Sequence, residues 1–474
     1  MKNIFLIISV CLPWLTFSQN WIPAGSNPGL GSYPVESLFV DTLRNDLYVG
    51  GSFKYFKSLI FNGIVRIDSL GALHTLGTAL DGCGPYNCTP IKVIKQYKDE
   101  IYVGWVDNTI NGGTVVNGIA RWDGTTWKPL QSGFNQGGVA NGFIEYNGDL
   151  YISGAFKLTI DSIPQYGIAK WNGASWTGLD FPVYPGDYPL AQASAWYKGK
   201  LYLGGGFLFG VGNSYILDIA SFDGTKWSAV GEGIKGGIWH GINDMVVFKD
   251  ELYVCGLFRS VDGNIGNKIM RWDGDQWKDV GGGICDQDAT LHRMLVHDGK
   301  LYVMGIFTCV GDGIPASCIA SWDGDRWCSC GNSIFNNRVF AMAFWQDNLY
   351  VGGGFTAIDN KPVTYFAKWV GDHSTDTCSA VSAIKPEPFK NTELRIRPNP
   401  AVKYVTFESA AFTGNRVLVR ILNSMGVVQI EKEFATSGQS NIQIDIHDLS
   451  KGVYFLTVSD DHQKASGKFL KTVD

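Results

Sequence analysis

Seven copies of one short pattern constrain the fold of this chain more than any other feature of its sequence. Each copy is a variant of L-Y-V-G-G-S-F, the form found at 47–53, and successive tyrosines lie 48 to 54 residues apart. The tyrosines are Tyr48, Tyr102, Tyr151, Tyr202, Tyr253, Tyr302 and Tyr350. A period of about 50 residues, kept over seven copies, indicates a repeat architecture in which one structural unit recurs.

A second pattern, R-W-D-G-D-Q-W at 271–277, recurs between copies of the first. The Asp-Gly pair predicts a hairpin, and we expect a two-residue type I′ turn because Asp, Asn and Gly tolerate the positive φ that it needs. The tryptophans recur at fixed positions, so we expect them to pack between repeats rather than to form a site. Four aspartates are expected to shape turns: Asp123, Asp223, Asp273 and Asp323.

Each repeat divides into four short strand-like runs, which predicts an all-β fold and a seven-bladed β-propeller. The seventh repeat ends at 367–372 without the W-x-x-x-G of a fourth strand. Trp21 and Gly25 supply that spacing near the start of the chain. We therefore expect the N-terminal strand to close the ring and leave no open sheet edge.

The segments outside the repeats have other compositions. Residues 1–19 join Lys2 to an apolar run and predict a signal peptide, after which the propeller occupies 20–371. Residues 372–393 are small, polar and proline-containing, which is typical of a linker. Residues 394–474 contain seven short strand-like runs without tryptophan and predict a small immunoglobulin-like β-sandwich.

Charge argues against nucleic acid as a partner, and hydropathy argues against a transmembrane segment. The net charge of −5 and the pI of about 5.8 give no basic surface of the kind that nucleic-acid-binding proteins need. After the signal segment no stretch approaches the length of about 18 apolar residues that a membrane helix requires, so no transmembrane segment is predicted.

Cysteine usage predicts disulfides, because nine of the ten cysteines follow the export signal. We predict the pairs Cys83–Cys88 and Cys309–Cys318. Cys255 is expected to be a buried small residue, Cys285 could reach Cys328 or Cys330, and the pairing of Cys378 stays open. A zinc site formed by Cys309, Cys318, Cys328 and Cys330 is disfavoured because their spacing contains no C-x-x-C.

The repeats over 21–371 resemble kelch-like bacterial repeat proteins, in which L-Y-V-G-G-x-F and I-A-R-W-D-G-x-x-W alternate. This resemblance implies the propeller fold without implying one function, since propellers carry enzymes, lectins and scaffolds.

Residues 394–474 resemble the type A sorting domain of the Bacteroidota type IX secretion system. The matching motifs are R-P-N-P at 397–400, N-S-M-G at 423–426, L-S-K-G-V-Y at 449–454 and K-F-L-K at 468–471. The resemblance assigns the sorting signal to Pro398, Asn399, Pro400, Gly452, Tyr454, Lys468 and Lys471. It implies passage through the periplasm, the type IX machinery as a partner, and a product that is secreted or attached to the outer-membrane surface. The alternative is a sandwich that binds a ligand itself.

Candidate functional residues lie where the repeats differ. The position ten residues before the repeated tyrosine is polar in five repeats and is expected to line a central channel: Lys92, Asn141, Gln192, Asn243 and His292. Irregular loops add aromatic residues suited to sugars or proteins, and repeat register places charged and histidine side chains near the channel mouth. The candidate binding residues are Tyr184, Tyr188, Trp239, His240, Asp244, His292, Arg293 and Arg338.

The sequence favours a binding or adhesion module for a glycan or a protein over an enzyme. An extracellular carbohydrate-active hydrolase or oxidase is the alternative, and a purely structural surface protein is a third reading. A copper oxidase of kelch-like type would use two histidines, which His240 and His292 could supply, but no cysteine–tyrosine pair matches. A sialidase would need three arginines, and only Arg293 and Arg338 are in register. We therefore predict no catalytic residue, cofactor or metal.

Overall fold

The computed structural model describes most of the chain and divides it into two compact units, Met1–Ala380 and Val381–Asp474. The described residues are 21–24, 33–57, 59–77, 83, 88–104, 109–110, 113–135, 137–183, 189–211, 214–236, 241–330, 333–370, 392–408, 416–423, 428–436, 441–460 and 464–472. The predicted signal peptide and nearly all of the predicted linker lie outside them. Among the described residues no helix is long and apolar enough to cross a membrane.

The first unit is built from short strands, with one described 3₁₀ helix at Ser260–Asp262. The strands are β1 (Trp21–Pro23), β2 (Val35–Asp41), β3 (Asp46–Gly51), β4 (Tyr55–Phe56), β5 (Leu59–Ile60), β6 (Ile64–Ile67), β7 (Leu73–Thr75), β8 (Val93–Tyr97), β9 (Glu100–Gly104), β10 (Thr109–Ile110), β11 (Thr114–Val115), β12 (Ile119–Trp122), β13 (Trp127–Pro129), β14 (Val139–Tyr146), β15 (Asp149–Ile160), β16 (Ile163–Trp171), β17 (Trp176–Gly178), β18 (Leu190–Tyr197), β19 (Lys200–Val211), β20 (Ser214–Phe222), β21 (Trp227–Ala229), β22 (Ile242–Phe248), β23 (Glu251–Gly256), β24 (Ile269–Trp272), β25 (Trp277–Lys278), β26 (Thr290–His297), β27 (Lys300–Ile306), β28 (Cys309–Val310), β29 (Ile314–Pro315), β30 (Ile319–Trp322), β31 (Trp327–Ser329), β32 (Val339–Trp345), β33 (Asn348–Gly353), β34 (Ala357–Ile358), β35 (Lys361–Pro362) and β36 (Phe366–Trp369).

These strands form seven four-stranded antiparallel sheets in the described part of the first unit. In strand order they are sheet 1 (β2-β3-β6-β7), sheet 2 (β8-β9-β12-β13), sheet 3 (β14-β15-β16-β17), sheet 4 (β18-β19-β20-β21), sheet 5 (β22-β23-β24-β25), sheet 6 (β26-β27-β30-β31) and sheet 7 (β32-β33-β36-β1). Small hairpins between the second and third strands add β4-β5, β10-β11, β28-β29 and β34-β35. The all-β prediction is confirmed.

The sheets contact one another in a cyclic order. The first strand of each sheet contacts the first strand of the next, and β32 of sheet 7 contacts β2 of sheet 1. A separate cluster of buried hydrophobic residues fills each of the seven junctions between neighbouring sheets, including the junction of sheet 7 with sheet 1. The indole of Trp345 in sheet 7 also donates to the carbonyl oxygen of Asn45 in sheet 1, at 3.0 Å. Sheets 1 and 7 are therefore packed neighbours.

The N-terminal strand completes sheet 7, as expected. β1 pairs antiparallel with β36, and Trp21 lies opposite Trp369 with ring centroids 5.0 Å apart. The third and fourth strands of other sheets carry the same cross-strand aromatic pair, for example Trp272 with Trp277 at 5.1 Å. These rings pack within and between sheets, which confirms a structural role for the repeated tryptophans.

The predicted turn type at the Asp-Gly pairs is wrong. In sheet 5, Trp272 pairs with Trp277, so four residues rather than two connect the strands. The carboxylate of Asp273 accepts the backbone N–H of Asp275 at 2.8 Å and of Gln276 at 2.9 Å. This arrangement uses the aspartate as an acceptor and requires a positive φ only at Gly274 (110°). Equivalent amide hydrogen bonds from Lys226 and Thr225 hold the pKa of Asp223 at about 2.

The two-residue turns lie instead between the first and second strands. Asn147 (φ 51°) and Gly148 (φ 79°) both have positive φ, as a type I′ turn requires. Lys249 (φ 47°) and Asp250 (φ 59°) show the same geometry in sheet 5.

One of the two predicted disulfides is present and the other is wrong. Cys83 bonds to Cys88, with the Cα atoms 3.9 Å apart. Cys309 does not bond to Cys318, because the β28–β29 register places Cys309 opposite Pro315. Cys309 bonds instead to Cys285, whose N–H donates to the Cys309 carbonyl, so Cys285 does not pair with Cys328 or Cys330 either. Cys318 is a buried thiol, and Cys255 is buried as predicted.

The second unit contains two described sheets. Its strands are β37 (Thr392–Glu393), β38 (Ile396–Arg397), β39 (Tyr404–Glu408), β40 (Arg416–Asn423), β41 (Val428–Ala435), β42 (Asn441–Asp445), β43 (Gly452–Ser459) and β44 (Lys464–Lys471). The sheet orders are β37-β44-β43-β40-β41 and β38-β39-β42. The alternating residues of these strands bury one apolar core, which includes Val405, Val419, Leu456 and Phe469.

Candidate functional site

The first strands of all seven sheets line one cavity of about 340 Å³. A cavity of this size falls at the lower end of the range found for small-molecule sites. Its charged lining residues are Glu36, Lys92, Asp244 and Arg293, and its amide side chains include Asn141 and Gln192. Because every sheet contributes, the cavity lies at the common centre of the first strands.

A β-bulge near the start of the first strand positions the lining residues. The strand-pair register skips one residue in six of the described sheets, and such an extra residue bends the strand and redirects its side chain. The bulge residues are Glu36, Asn141, Gln192, Asn243, His292 and Phe340. Lys92 occupies the corresponding place in sheet 2, where its N–H donates to Gly104, the residue that faces Val93.

The predicted polar positions therefore coincide with the bulges, although only some of these residues line the cavity. Lys92, Asn141 and Gln192 line it as predicted. In sheets 5 and 6 the lining residues are the next ones along each strand, Asp244 and Arg293, rather than Asn243 and His292.

Sequence reasoning missed Glu36. Counting ten residues back from Tyr48 reaches Leu38, but the turn of sheet 1 pairs Asp41 with Asp46 and is two residues longer than the turn between Tyr146 and Asp149. The signal was the run D-T-L-R-N-D at 41–46, in which Asp41 accepts the N–H groups of residues 43 and 44. Allowing for that longer turn places Glu36 at the bulge.

Asp244 and Arg293 are neighbours that bind backbone groups. The Asp244 carboxylate accepts the N–H of Met245 at 3.0 Å and of Met294 at 2.7 Å, one on each oxygen. Burial raises the pKa of Asp244, while the Arg293 charge and these N–H groups oppose the shift. The Arg293 guanidinium donates to the carbonyl oxygens of Asn243 at 3.2 Å and Asn141 at 3.4 Å. Arg293 thus links sheet 6 to sheet 5 and, across the cavity, to sheet 3.

Glu36 and Lys92 contribute the other two charges. The Ser52 hydroxyl donates to Glu36 at 2.7 Å. Burial raises the pKa of Glu36, and the Ser52 hydrogen bond and the Lys92 charge partly offset that effect.

His292 and Arg338 lie beside the cavity. The His292 ring packs edge-on against Phe340, with centroids 5.0 Å apart, and its buried Nε2 has no hydrogen-bond partner. Burial, with the charges of Arg338 and Arg293, lowers the pKa of His292 to about 4. Arg338 is exposed. The structure therefore brings Asp244, His292, Arg293 and Arg338 into one electrostatic neighbourhood.

Four predicted residues, Tyr184, Tyr188, Trp239 and His240, lie outside the described part of the chain, so the pairing of two histidines stays a prediction. One cluster of metal-ligand type, Cys285, Asp286 and Cys309, lies among the described residues. Its two sulfurs form the disulfide, which leaves no thiolate for a metal.

The residues assigned to the sorting signal lie along β43 and β44 and the segment before β39. The Asn399 side chain donates to the carbonyl of Lys468 at 3.1 Å and accepts the N–H of Leu470 at 2.9 Å. Gly452 pairs with Lys471 across the two strands. Pro398 and Pro400 flank Asn399 and follow cis peptide bonds.

Two of these residues are buried. The Tyr454 ring stacks on Phe469 and its hydroxyl donates to the carbonyl of Ser450 at 3.0 Å. Lys471 is only 5% exposed, and its ammonium donates to the carbonyls of Val402 and Thr472. Lys468 is exposed.

Comparisons with known proteins bear on the two units differently. The structure of the chain is similar to the crystal structure of the GH74 enzyme of Niastella koreensis, with 12% identity and a TM-score of 0.41 over 95% of this chain and 75% of that one. A likeness of this extent carries no argument about activity. No curated protein sequence matches the chain.

Residues 395–472 match the family described as the secretion system C-terminal sorting domain. The match covers β38 to β44 and every residue assigned to the signal. The second unit is therefore a C-terminal sorting domain, and the chain is a protein that the type IX system secretes to the cell surface or the extracellular space.

Proposed function

We propose that the first unit is a seven-bladed β-propeller, closed by its N-terminal strand, that binds a glycan outside the cell. The cyclic order of the seven sheets and the place of β1 in the last of them support the ring. The two sheets of the second unit, packed around one apolar core, support an immunoglobulin-like sandwich there.

The observation that carries the binding function is the polar cavity at the centre of the sheets, whose acidic groups are already hydrogen-bonded. Both oxygens of Asp244 accept backbone N–H groups, and Glu36 accepts the Ser52 hydroxyl. Lining amides such as Asn141 and Gln192 suit sugar hydroxyl groups. These features support recognition of a polar ligand more than proton transfer to one.

A carbohydrate hydrolase is the alternative, and one observation favours it. Glu36 and Asp244 line the same cavity, and glycoside hydrolysis ordinarily uses two carboxyl groups, one of them with a raised pKa. An acid catalyst must reach the glycosidic oxygen, whereas the Asp244 carboxylate is held by the N–H of Met245 on its own strand and of Met294 on the adjacent strand. Binding is therefore the preferred function.

The two functions can be separated on the full-length exported protein. A glycan array should show retention of a saccharide class, and incubation of the retained saccharide should release no product. The matched variants are Glu36→Gln and Asp244→Asn, which remove charge and keep shape. Hydrolysis by the wild type that both variants abolish would overturn the binding function in favour of the enzyme, and an array without any retained glycan would also contradict it.

A further inference from the structure

The cavity is lined by two cationic and two acidic side chains. The acidic side chains accept hydrogen bonds from N–H and O–H groups of the protein, whereas neither cation has an anionic partner at hydrogen-bond distance in the described part of the chain. The Asp244 oxygens bind backbone N–H groups of Met245 and Met294. The Arg293 guanidinium donates only to neutral carbonyl oxygens. A carbonyl orients a guanidinium without cancelling its charge. The charges of Arg293 and Lys92 act on Asp244 and Glu36, respectively, but no described carboxylate forms a direct ion pair with either cation. Both cations therefore keep N–H donors for a bound anion.

The two cations line the same cavity. Arg293 belongs to sheet 6, but its Nη2 lies 3.4 Å from the carbonyl oxygen of Asn141, at the bulge of sheet 3. Lys92 occupies the corresponding place in sheet 2, the sheet next to sheet 3. The reach of Arg293 across the cavity therefore brings its guanidinium to sheet 3, the neighbour of the sheet that carries Lys92. Of the five N–H donors of an arginine, two are used here.

The remaining lining complements a small polar molecule. Gln192 and Ser194 follow along sheet 4 and supply an amide and a hydroxyl, and the Phe340 ring supplies an apolar face. Amides and hydroxyls hydrogen-bond sugar hydroxyl groups, and an aromatic ring packs against the C–H face of a pyranose. A volume of about 340 Å³ is large enough for a sugar ring.

We propose that this cavity is a binding site for one carboxylate-bearing sugar residue, of the hexuronate class, with its carboxylate between Lys92 and Arg293. Its hydroxyl groups then face Asn141 and Gln192. This inference rests on the proposed glycan-binding function and specifies its ligand.

Isothermal titration of the full chain with glucuronate, glucose and sulfate tests the ligand class without any mutation. Glucose carries a neutral hydroxymethyl group in place of the carboxylate, so we expect it to bind at least about tenfold more weakly, because the charge-assisted hydrogen bonds are lost. Equal binding of glucose and glucuronate would refute the carboxylate contact. If sulfate bound as tightly as glucuronate, the cavity would be a site for inorganic anions, and the proposal of a sugar ligand would be refuted.

A matched pair of variants tests the residues. Lys92→Met should weaken glucuronate binding at least about tenfold, whereas Lys95→Met, which removes the same charge from β8 outside the cavity lining, should not. Equal affinities in the two variants would refute the role of Lys92. If glucuronate fails to bind while the array retains other glycans, this inference falls and the proposed function stands. If nothing is retained, both fall.

Discussion

Replacing Trp21 by alanine should destabilise the whole first unit, although Trp21 belongs to a strand of only three residues. Its side chain is 0% exposed and packs edge-on against Trp369 at 5.0 Å and Phe335 at 5.4 Å. Removing a buried tryptophan costs about 3–5 kcal/mol, because the lost contacts leave a cavity. A stable domain has about 5–15 kcal/mol in total, so the variant should lose a large part of its stability.

Two other substitutions separate the packing of the Trp21 ring from its hydrogen bonding and from general effects of mutating the strand. The buried Nε1 of Trp21 has no hydrogen-bond partner, so Trp21→Phe gives up no hydrogen bond while it keeps much of the ring packing. We expect that variant to lose less than half of what Trp21→Ala loses. Ile22, which is 40% exposed on the same strand, should change stability by less than about 0.5 kcal/mol when replaced by alanine.

Urea unfolding followed by circular dichroism gives the stabilities, and hydrogen exchange gives the location. In Trp21→Ala the amides of β36, which pair with β1, should exchange faster than those of β24, the equivalent strand of sheet 5. If Trp21→Ala were as stable as Ile22→Ala, or if β36 and β24 kept their relative protection, the N-terminal strand would not close the sheet in the way argued above.

Three further outcomes are expected. The pKa of His292 is lowered to about 4 in the folded protein, below the value of about 6.5 expected in the unfolded chain. Its contribution to the free energy of unfolding is therefore complete above a pH of about 6.5 and falls by at most about 3 kcal/mol as the pH drops towards 4. His292→Asn should flatten that part of the pH–stability profile, and an unchanged profile would refute the assignment. Removing the Cys285–Cys309 bond, which closes a loop of 24 residues, with a double serine variant should cost about 3 kcal/mol in thermal unfolding, and no loss would contradict the pairing. Lys471→Met should reduce export by destabilising the sorting domain by about 1–3 kcal/mol, measurable as proteolysis of the variant, whereas equal stability with the exposed Lys468→Met would refute a structural role.

The sequence predicted those parts of the fold that depend on repetition. Because Trp21 and Trp369 complete a pair that recurs between the third and fourth strands of other sheets, spacing alone sufficed to place β1. Turn geometry was harder to predict from the sequence. The Asp-Gly pairs suit both a two-residue turn and a longer turn capped by the aspartate, and only the register of Trp272 with Trp277 distinguishes them. The Cys309 disulfide was misassigned because proximity in sequence to Cys318 does not reveal the side of the hairpin on which Cys285 lies.

The candidate site was harder to predict because its chemistry depends on the reach of single side chains across the central cavity. Repeat register brings equivalent positions to one centre, and it correctly brought Lys92, Asn141 and Gln192 there. Register cannot show that the Arg293 side chain, which belongs to the sixth sheet, extends to the carbonyl oxygen of Asn141 in the third sheet. The planar guanidinium at the end of a long side chain has donors on two nitrogens, which lets Arg293 contact both carbonyl oxygens. Arg293→Lys should therefore keep the charge but lose one of the two carbonyl contacts, and should weaken glucuronate binding more than its unchanged charge would predict.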